Sequence, residues 1–197
     1  MPKLVIVAGC AGSGKTTISK ELARKTHYTM LDKDPMTRRF TDFILCREGS
    51  FEGDRESDFY CNNLRDIEYE ILFETAKENL ELGNSVILSS PFIAIIQNYD
   101  MWKESGWIKD DFIEKYDVEI KFIWMKHDID LEYERISKRS AKRDKNKLDN
   151  WEEYKRSLDN ISIDDRYDAY IVDNSKSNNI LETVDNIIKW LENGLNK

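Results

Sequence analysis

The sequence predicts a three-layer α/β fold, a parallel sheet flanked by helices on both faces with a helical lid, in one domain over residues 1–197. Three observations carry this expectation. Short apolar runs of strand length alternate with helical patterns along most of the chain, the order that builds a parallel sheet. The first run, Leu4–Ala8, is continuous rather than alternating, which suits a strand covered on both sides. A hydrophobic share of 40% in 197 residues supports a single core, and no linker, low-complexity tract or repeat divides the chain.

Taken in order, Lys3–Ala8 reads as a strand that Gly9–Gly14 breaks. Lys15–Lys25 follows as a helix with Ile18, Leu22 and Ala23 on one side. Tyr28–Leu31 is a second short strand that runs into Asp32 and Asp34. Residues 40–63 are mixed and aromatic, and Gly49 and Gly53 interrupt any long element there. From Leu64 to Leu82 apolar residues recur on one helical side, and Gly83 is placed to end the helix. Ser85–Ser89 is the third strand, Ala94–Glu104 a helix, and Val118–Met125 the fourth strand. Asp130–Lys142 is a basic helix and Trp151–Leu158 a short one; together they make a lid over about residues 130–156. Ala169–Val172 is the last strand and Ile180–Leu191 the closing helix.

Charge narrows the function. A formal net charge of −8 speaks against indiscriminate binding to a nucleic-acid backbone, which depends on Lys and Arg displacing counterions. It leaves room for a small anion in a local basic pocket. The charge is in fact segregated: residues 1–30 carry five basic and one acidic side chain, and residues 133–156 carry nine against five. No apolar run approaches a membrane span, and the short apolar start enters a glycine-rich turn rather than a cleavage site. Three cysteines without a CxxC, beside two histidines, make no disulfide framework or zinc site. The expectation is a cytoplasmic protein, monomeric or homodimeric, with no membrane partner.

The strongest motif is Gly9-Cys10-Ala11-Gly12-Ser13-Gly14-Lys15-Thr16, which matches G-x-x-x-x-G-K-[ST] between a strand and a helix. Glycines let the backbone wrap closely around phosphates, and the helix N-terminus adds partial positive charge. Gly9, Ala11, Gly12, Ser13, Gly14, Lys15, Thr16 and Thr17 are therefore the expected nucleotide-binding residues. Lys15 is expected on the β- and γ-phosphates and Thr16 on Mg²⁺. A dinucleotide fingerprint also crowds glycines after a first strand, but Lys15-Thr16 favours a nucleoside triphosphate.

Asp32 and Asp34 end the second strand, where a parallel sheet lines its ligand crevice. Asp34 is the expected base for an acceptor hydroxyl, and Asp32 a metal-side carboxylate; the alternative is that both only cap the next segment. Arg38 and Arg65 are candidate acceptor clamps. Ser89-Ser90 ends the third strand where related proteins carry an acid, so either Ser90 contacts metal or substrate, or Asp32 takes the acidic role. Arg135, Arg139 and Arg143 recur every four residues, so on one helix they would share a face that closes over the triphosphate. Of these, Arg139 and Arg143 are the expected catalytic pair. Asn174, after the last strand, is placed to approach the base.

With these motifs the chain resembles the small P-loop kinases, and more narrowly the zeta-toxin, chloramphenicol-phosphotransferase and polynucleotide-kinase-like set of AAA-family ATP-binding proteins. The resemblance implies a P-loop NTPase fold and Mg²⁺-dependent transfer of the γ-phosphoryl group of ATP to a hydroxyl. It matches Lys15, Thr16 and Asp34 to the family's phosphate-binding lysine, metal-binding hydroxyl and base. Arg38 matches the arginine that follows the base in polynucleotide kinases, and Arg139 and Arg143 the lid arginines. Residues 40–63 carry no sugar, antibiotic, shikimate or nucleotide signature. The acceptor expected is thus a small hydroxyl-bearing metabolite. The alternatives are a nucleic-acid 5′-hydroxyl end, with a basic groove beside Arg38, Arg39 and Arg65, and an NTP-binding regulatory ATPase without an acceptor.

Overall fold

In a computed structural model, described over residues 1–126, 128–158, 161–173 and 179–193, the apolar run after Lys3 is the central strand. The strands are β1 (Lys3–Gly9), β2 (Thr29–Asp32), β3 (Val86–Ser89), β4 (Glu119–Lys126) and β5 (Ala169–Asp173). They form one sheet in the order β2-β3-β1-β4-β5, and every pairing is parallel. Successive side chains of β1 point to opposite faces. Leu4, Ile6 and Ala8 join one core cluster and Val5 and Val7 the other, all fully buried. Both faces of β1 are covered, so no polar side chain interrupts the run.

The helices are α1 (Lys15–Thr26), α2 (Lys33–Arg47), α3 (Asp58–Asn63), α4 (Arg65–Glu81), α5 (Ile93–Gln97), α6 (Tyr99–Glu104), α7 (Asp110–Tyr116), α8 (Ile129–Arg139), α9 (Lys145–Asp149), α10 (Trp151–Leu158) and α11 (Ile180–Asn193). Ile18 and Leu22 of α1, with Val184, Ile187 and Trp190 of α11, cover one face. Leu72, Phe73, Ala76 and Leu80 of α4, with α5, α6 and Leu158 of α10, cover the other. The fold is the predicted three-layer α/β arrangement, and it sets Gly9, Asp32 and Ser89 at the carboxyl edge of neighbouring strands. Among the described residues no helix is long and apolar enough to cross a membrane.

Three elements depart from the sequence expectation. Residues 33–47 form a helix whose buried face is mostly polar, Lys33, Thr37, Thr41 and Leu45. That face gives no apolar periodicity, because it packs on a buried carboxylate, Glu68 of α4. The helix expected over Ala94–Glu104 is split at Asn98, whose extended backbone ends α5 and whose side chain accepts from Asp100 N and Met101 N to cap α6. The basic helix expected to reach Lys142 stops at Arg139: Ser140 turns left-handed (φ 47°), and Lys142–Asp144 is a 3₁₀ turn. Arg135, Arg139 and Arg143 therefore do not share one helix face.

Candidate active site

The turn after β1 folds as its glycines require. Gly12 sits at φ +82°, and a β-carbon there would lie 3.1 Å from Glu132 Cα and 3.2 Å from Ile136 of α8. The lid helix thus packs directly on the turn, and Arg135 donates to the Gly12 carbonyl at 3.2 Å. Gly14, left-handed, leads into α1 at Lys15. Not every N–H of the turn is open to a ligand: Gly9 donates to the Pro91 carbonyl, Ser13 to Cys10 and Thr17 to Gly14.

Lys15 folds back so that Nζ donates to the Cys10 carbonyl at 2.7 Å. Burial lowers its pKa to about 8, against the pull of nearby Asp34 and Glu132. Burial likewise pushes the Cys10 thiol up to about 12, so it stays protonated and inert. Glu132 is fully buried, and neither carboxyl oxygen has a hydrogen-bond partner among the described residues. Burial raises it to about 8, opposed by Lys15 and Arg135. At neutral pH it is largely a neutral acid beside the turn.

Thr16 Oγ1 donates to Asp32 Oδ2 at 3.1 Å, joining the first turn of α1 to the end of β2. Burial and the charge of Asp34 raise the Asp32 pKa. Asp32 also caps α2, accepting from Asp34 N at 3.1 Å. Ser90 Oγ instead donates to the Tyr69 hydroxyl at 3.3 Å. Of the two sequence alternatives, the carboxylate meeting Thr16 is Asp32, which lies beside Ser89 in the β2–β3 register.

Asp34 is not open. Its Oδ2 accepts from Arg143 Nη1, and Lys33 Nζ lies 3.8 Å from its other oxygen. Arg139 is held in turn by buried Asp144, at 2.6 Å. The lid also clamps a turn over residues 50–57. Lys142 pairs with Glu52, and Asn146 and Lys147 reach Glu56, each at 2.6 Å. A β-carbon on Gly53 would lie 2.7 Å from the Arg143 backbone nitrogen. Only glycine allows that approach.

Together these groups line a cavity of about 970 Å³. Ala11, Gly12, Lys15, Thr16, Asp32, Asp34, Arg139 and Arg143 line it, and so do Tyr69, Phe92, Ile93 and Trp107. Arg65 and Ser90 line it too, but Gly9, Ser13, Gly14 and Thr17 do not, nor does Arg38, which is exposed on α2. Arg39 is exposed on α2 as well and does not line the cavity, and Asp66 and Glu70 line it beside Arg65. Asn174 lies outside the described residues.

Two features escaped sequence reasoning. Glu68 of α4 is 2% exposed and accepts from Lys33, Thr37, Thr41 and the Tyr60 hydroxyl. Burial alone would raise it, but the Lys33 charge and these hydrogen bonds bring its pKa down to about 2. Arg55, on the 50–57 turn, also lines the cavity. Neither belongs to a motif; the only sequence signal for Glu68 is an acid on the otherwise apolar side of a strong helix.

The family model described as an AAA domain matches residues 4–161. No curated protein matches the chain. Among solved structures, a candidate kinase from Chloroflexus aurantiacus aligns with a TM-score of 0.64 at 22% identity, over 98% of this chain and 97% of that one. A sugar kinase from Janibacter aligns at 0.62 with 17% identity, over 98% and 95%. The APS kinase of Mycobacterium tuberculosis, solved with AMPPNP and APS, aligns at 0.61 with 16% identity, over 97% and 98%. At these identities the likeness is one of fold.

Proposed function

The chain belongs to the AAA domain family, and from that premise we propose that it is a phosphotransferase moving the γ-phosphoryl group of ATP to a hydroxyl of a small metabolite. The observation that carries this is one cavity lined by Ala11 and Gly12 of the glycine-rich turn, Lys15, the Thr16–Asp32 pair, Asp34, Arg139 and Arg143, and also by Tyr69, Phe92 and Trp107, which leave it larger than the phosphate-binding groups alone. A pure nucleotide switch needs no such aromatic lining beyond the phosphate-binding groups. The similar kinase folds support the same reading.

The residues assign themselves by chemistry. Lys15 exchanges the Cys10 carbonyl for phosphate oxygens of the nucleotide. A hydroxyl and a carboxylate in contact, Thr16 and Asp32, are hard oxygen donors of the kind that would hold Mg²⁺. Held there, the ion would supply positive charge against the phosphates of the nucleotide. Asp34 accepts the acceptor's hydroxyl proton as that oxygen bonds to the γ-phosphorus and the bond to the β-phosphate oxygen breaks, releasing ADP. For this, Arg143 must leave Asp34; the developing charge on the phosphoryl group is its natural next partner. The lid excludes water, so the donor is spent on the acceptor rather than hydrolysed.

The test is ATP consumption against pools of nucleosides, sugars, hydroxy acids and 5′-hydroxyl oligonucleotides, with Lys15→Ala and Asp34→Asn as comparison variants. One small-molecule pool should raise turnover, and both variants should abolish the rise. Unchanged acceptor phosphorylation in Asp34→Asn refutes the base assignment, and no response from any pool refutes the kinase reading.

A further inference from the structure

We propose that the outer faces of α2 and α4 dock a second copy of this chain, in a two-fold pair with α2 of each protomer laid across α4 of the other. The first observation is that α2 is amphipathic the wrong way round. Its buried stripe, Lys33, Thr37, Thr41 and Leu45, is mostly polar. The opposite stripe, Met36, Phe40, Phe43 and Arg47, recurs at helical spacing and faces solvent. Phe40 is 70% exposed and Phe43 59%. With Phe51 on the turn that follows, these are the three exposed phenylalanines among the described residues. A helix that buries threonines and shows phenylalanines forfeits the stabilisation of apolar burial unless its outer side is covered.

Charge identifies what covers it. Arg38 and Arg39 flank the aromatic stripe, and Arg47 lies over the Phe43 ring at 5.8 Å. None of the three has an ion-pair partner among the described residues. Helix α4 lies beside α2, joined to it through Glu68. It buries Leu72, Phe73, Ala76 and Leu80, and its outer side repeats the spacing of the α2 stripe with Ile67, Ile71, Glu74 and Glu78. Those two acids also have no ion-pair partner among the described residues.

Neighbouring faces that are both apolar and of opposite charge make a self-complementary patch. A two-fold contact sets each part of such a patch against the other part on the second copy. Every arginine of α2 then gains acids, and Ile67 and Ile71 are covered as well as the phenylalanines. A nucleic-acid backbone or an anionic lipid surface fits less well. It would meet Glu74, Glu78 and Glu81 beside the arginines, in a chain of net charge −8. An acidic protein would match α2 alone. None of these residues lines the cavity, so the pairing stands apart from the phosphotransferase reading.

Equilibrium sedimentation of the full chain, from low to high micromolar and without nucleotide, reads the pairing. Wild type should pass from monomer to dimer and no further, because a two-fold contact closes on itself. Phe40→Ser with Phe43→Ser should weaken the dimer by about tenfold or more. Arg39→Glu with Arg47→Glu, and separately Glu74→Lys with Glu78→Lys, should each weaken it, since both copies then present like charges. Mixed one to one, the two charge-reversed proteins should pair about as tightly as wild type, because each α2 again meets an α4 of opposite sign. All six positions are exposed, and thermal melts separate folding from pairing.

A wild type that stays monomeric, or a dimer that none of these variants weakens, overturns the proposal. Failure of the mixed proteins to pair overturns the crossing of α2 on α4, as does a dimer weakened by reversal on α2 but not on α4. A monomeric chain that binds a single-stranded oligonucleotide or phosphatidylserine vesicles through Arg39 and Arg47 overturns the second copy as the occupant.

Discussion

At the scale of single residues, two carboxylates decide how the site behaves before a ligand arrives. Glu132 keeps its proton in the folded chain to about pH 8, because burial disfavours its charged form. Unfolded, it releases that proton near pH 4.5. The folded state thus binds the extra proton across that window, and its stability falls as pH rises through it. Glu132→Gln is expected to melt several degrees above wild type at pH 8, with the difference shrinking toward zero at pH 5; an equal difference at both refutes the assignment. Asp34, by contrast, is occupied by Arg143. Arg143→Ala frees the base yet removes a charge from the reacting phosphoryl group, so kcat should fall about 100-fold with the nucleotide Kd little changed. A rise in kcat would show that the ion pair only inhibits.

At the scale of elements, the turn at residues 50–57 and α2 are organised by contacts no local pattern announces. Glu68 anchors α2 to α4, and its low pKa places the corresponding stability above about pH 4.5, lost as pH falls toward 2. Replacing it with Gln strands the buried Lys33 charge and should destabilise the protein by about 3–5 kcal/mol in denaturant titrations. Gly53→Ala sets a methyl against the Arg143 backbone at a φ of +86°. It should raise the acceptor KM while sparing nucleotide binding; a change confined to the nucleotide Kd would place the turn with the wrong substrate. The strand–glycine turn–helix unit at residues 3–26 was legible, because apolar continuity and glycine spacing are local properties. The α2 face was not, since Lys33, Thr37 and Thr41 are buried only by virtue of a partner 27 or more residues away. The break at Ser140 was equally silent, so the shared face drawn through Arg135, Arg139 and Arg143 dissolved, although Arg139 and Arg143 still reach the cavity by different elements.

At the scale of the molecule, the basic segments of an acidic chain are the ones that meet at the cavity, and the lid is seated by surface ion pairs. Lys142–Glu52 is largely exposed, at 75% and 52%, and Lys147–Glu56 less so. Salt screens such pairs. Amide hydrogen exchange over residues 142–149 should accelerate a few-fold between about 0.05 and 0.5 M salt, while β1 and β4 stay protected. No acceleration would mean that the exposed ion pairs do not hold the lid, and that its buried and close contacts, at Gly12, Gly53 and Asp34, do. By itself the sequence determined the layered parallel sheet, the glycine-rich turn and the candidates Lys15, Thr16, Asp32 and Asp34, because period, glycine position and strand end are written in neighbouring residues. Only the tertiary structure decided that Asp32 meets Thr16, that Arg143 covers Asp34, that Glu132 and Glu68 are buried, and that Arg55 lines the cavity while Arg38 does not. Burial and pairing of charge depend on what distant segments bring within a few ångströms, and no local pattern encodes that.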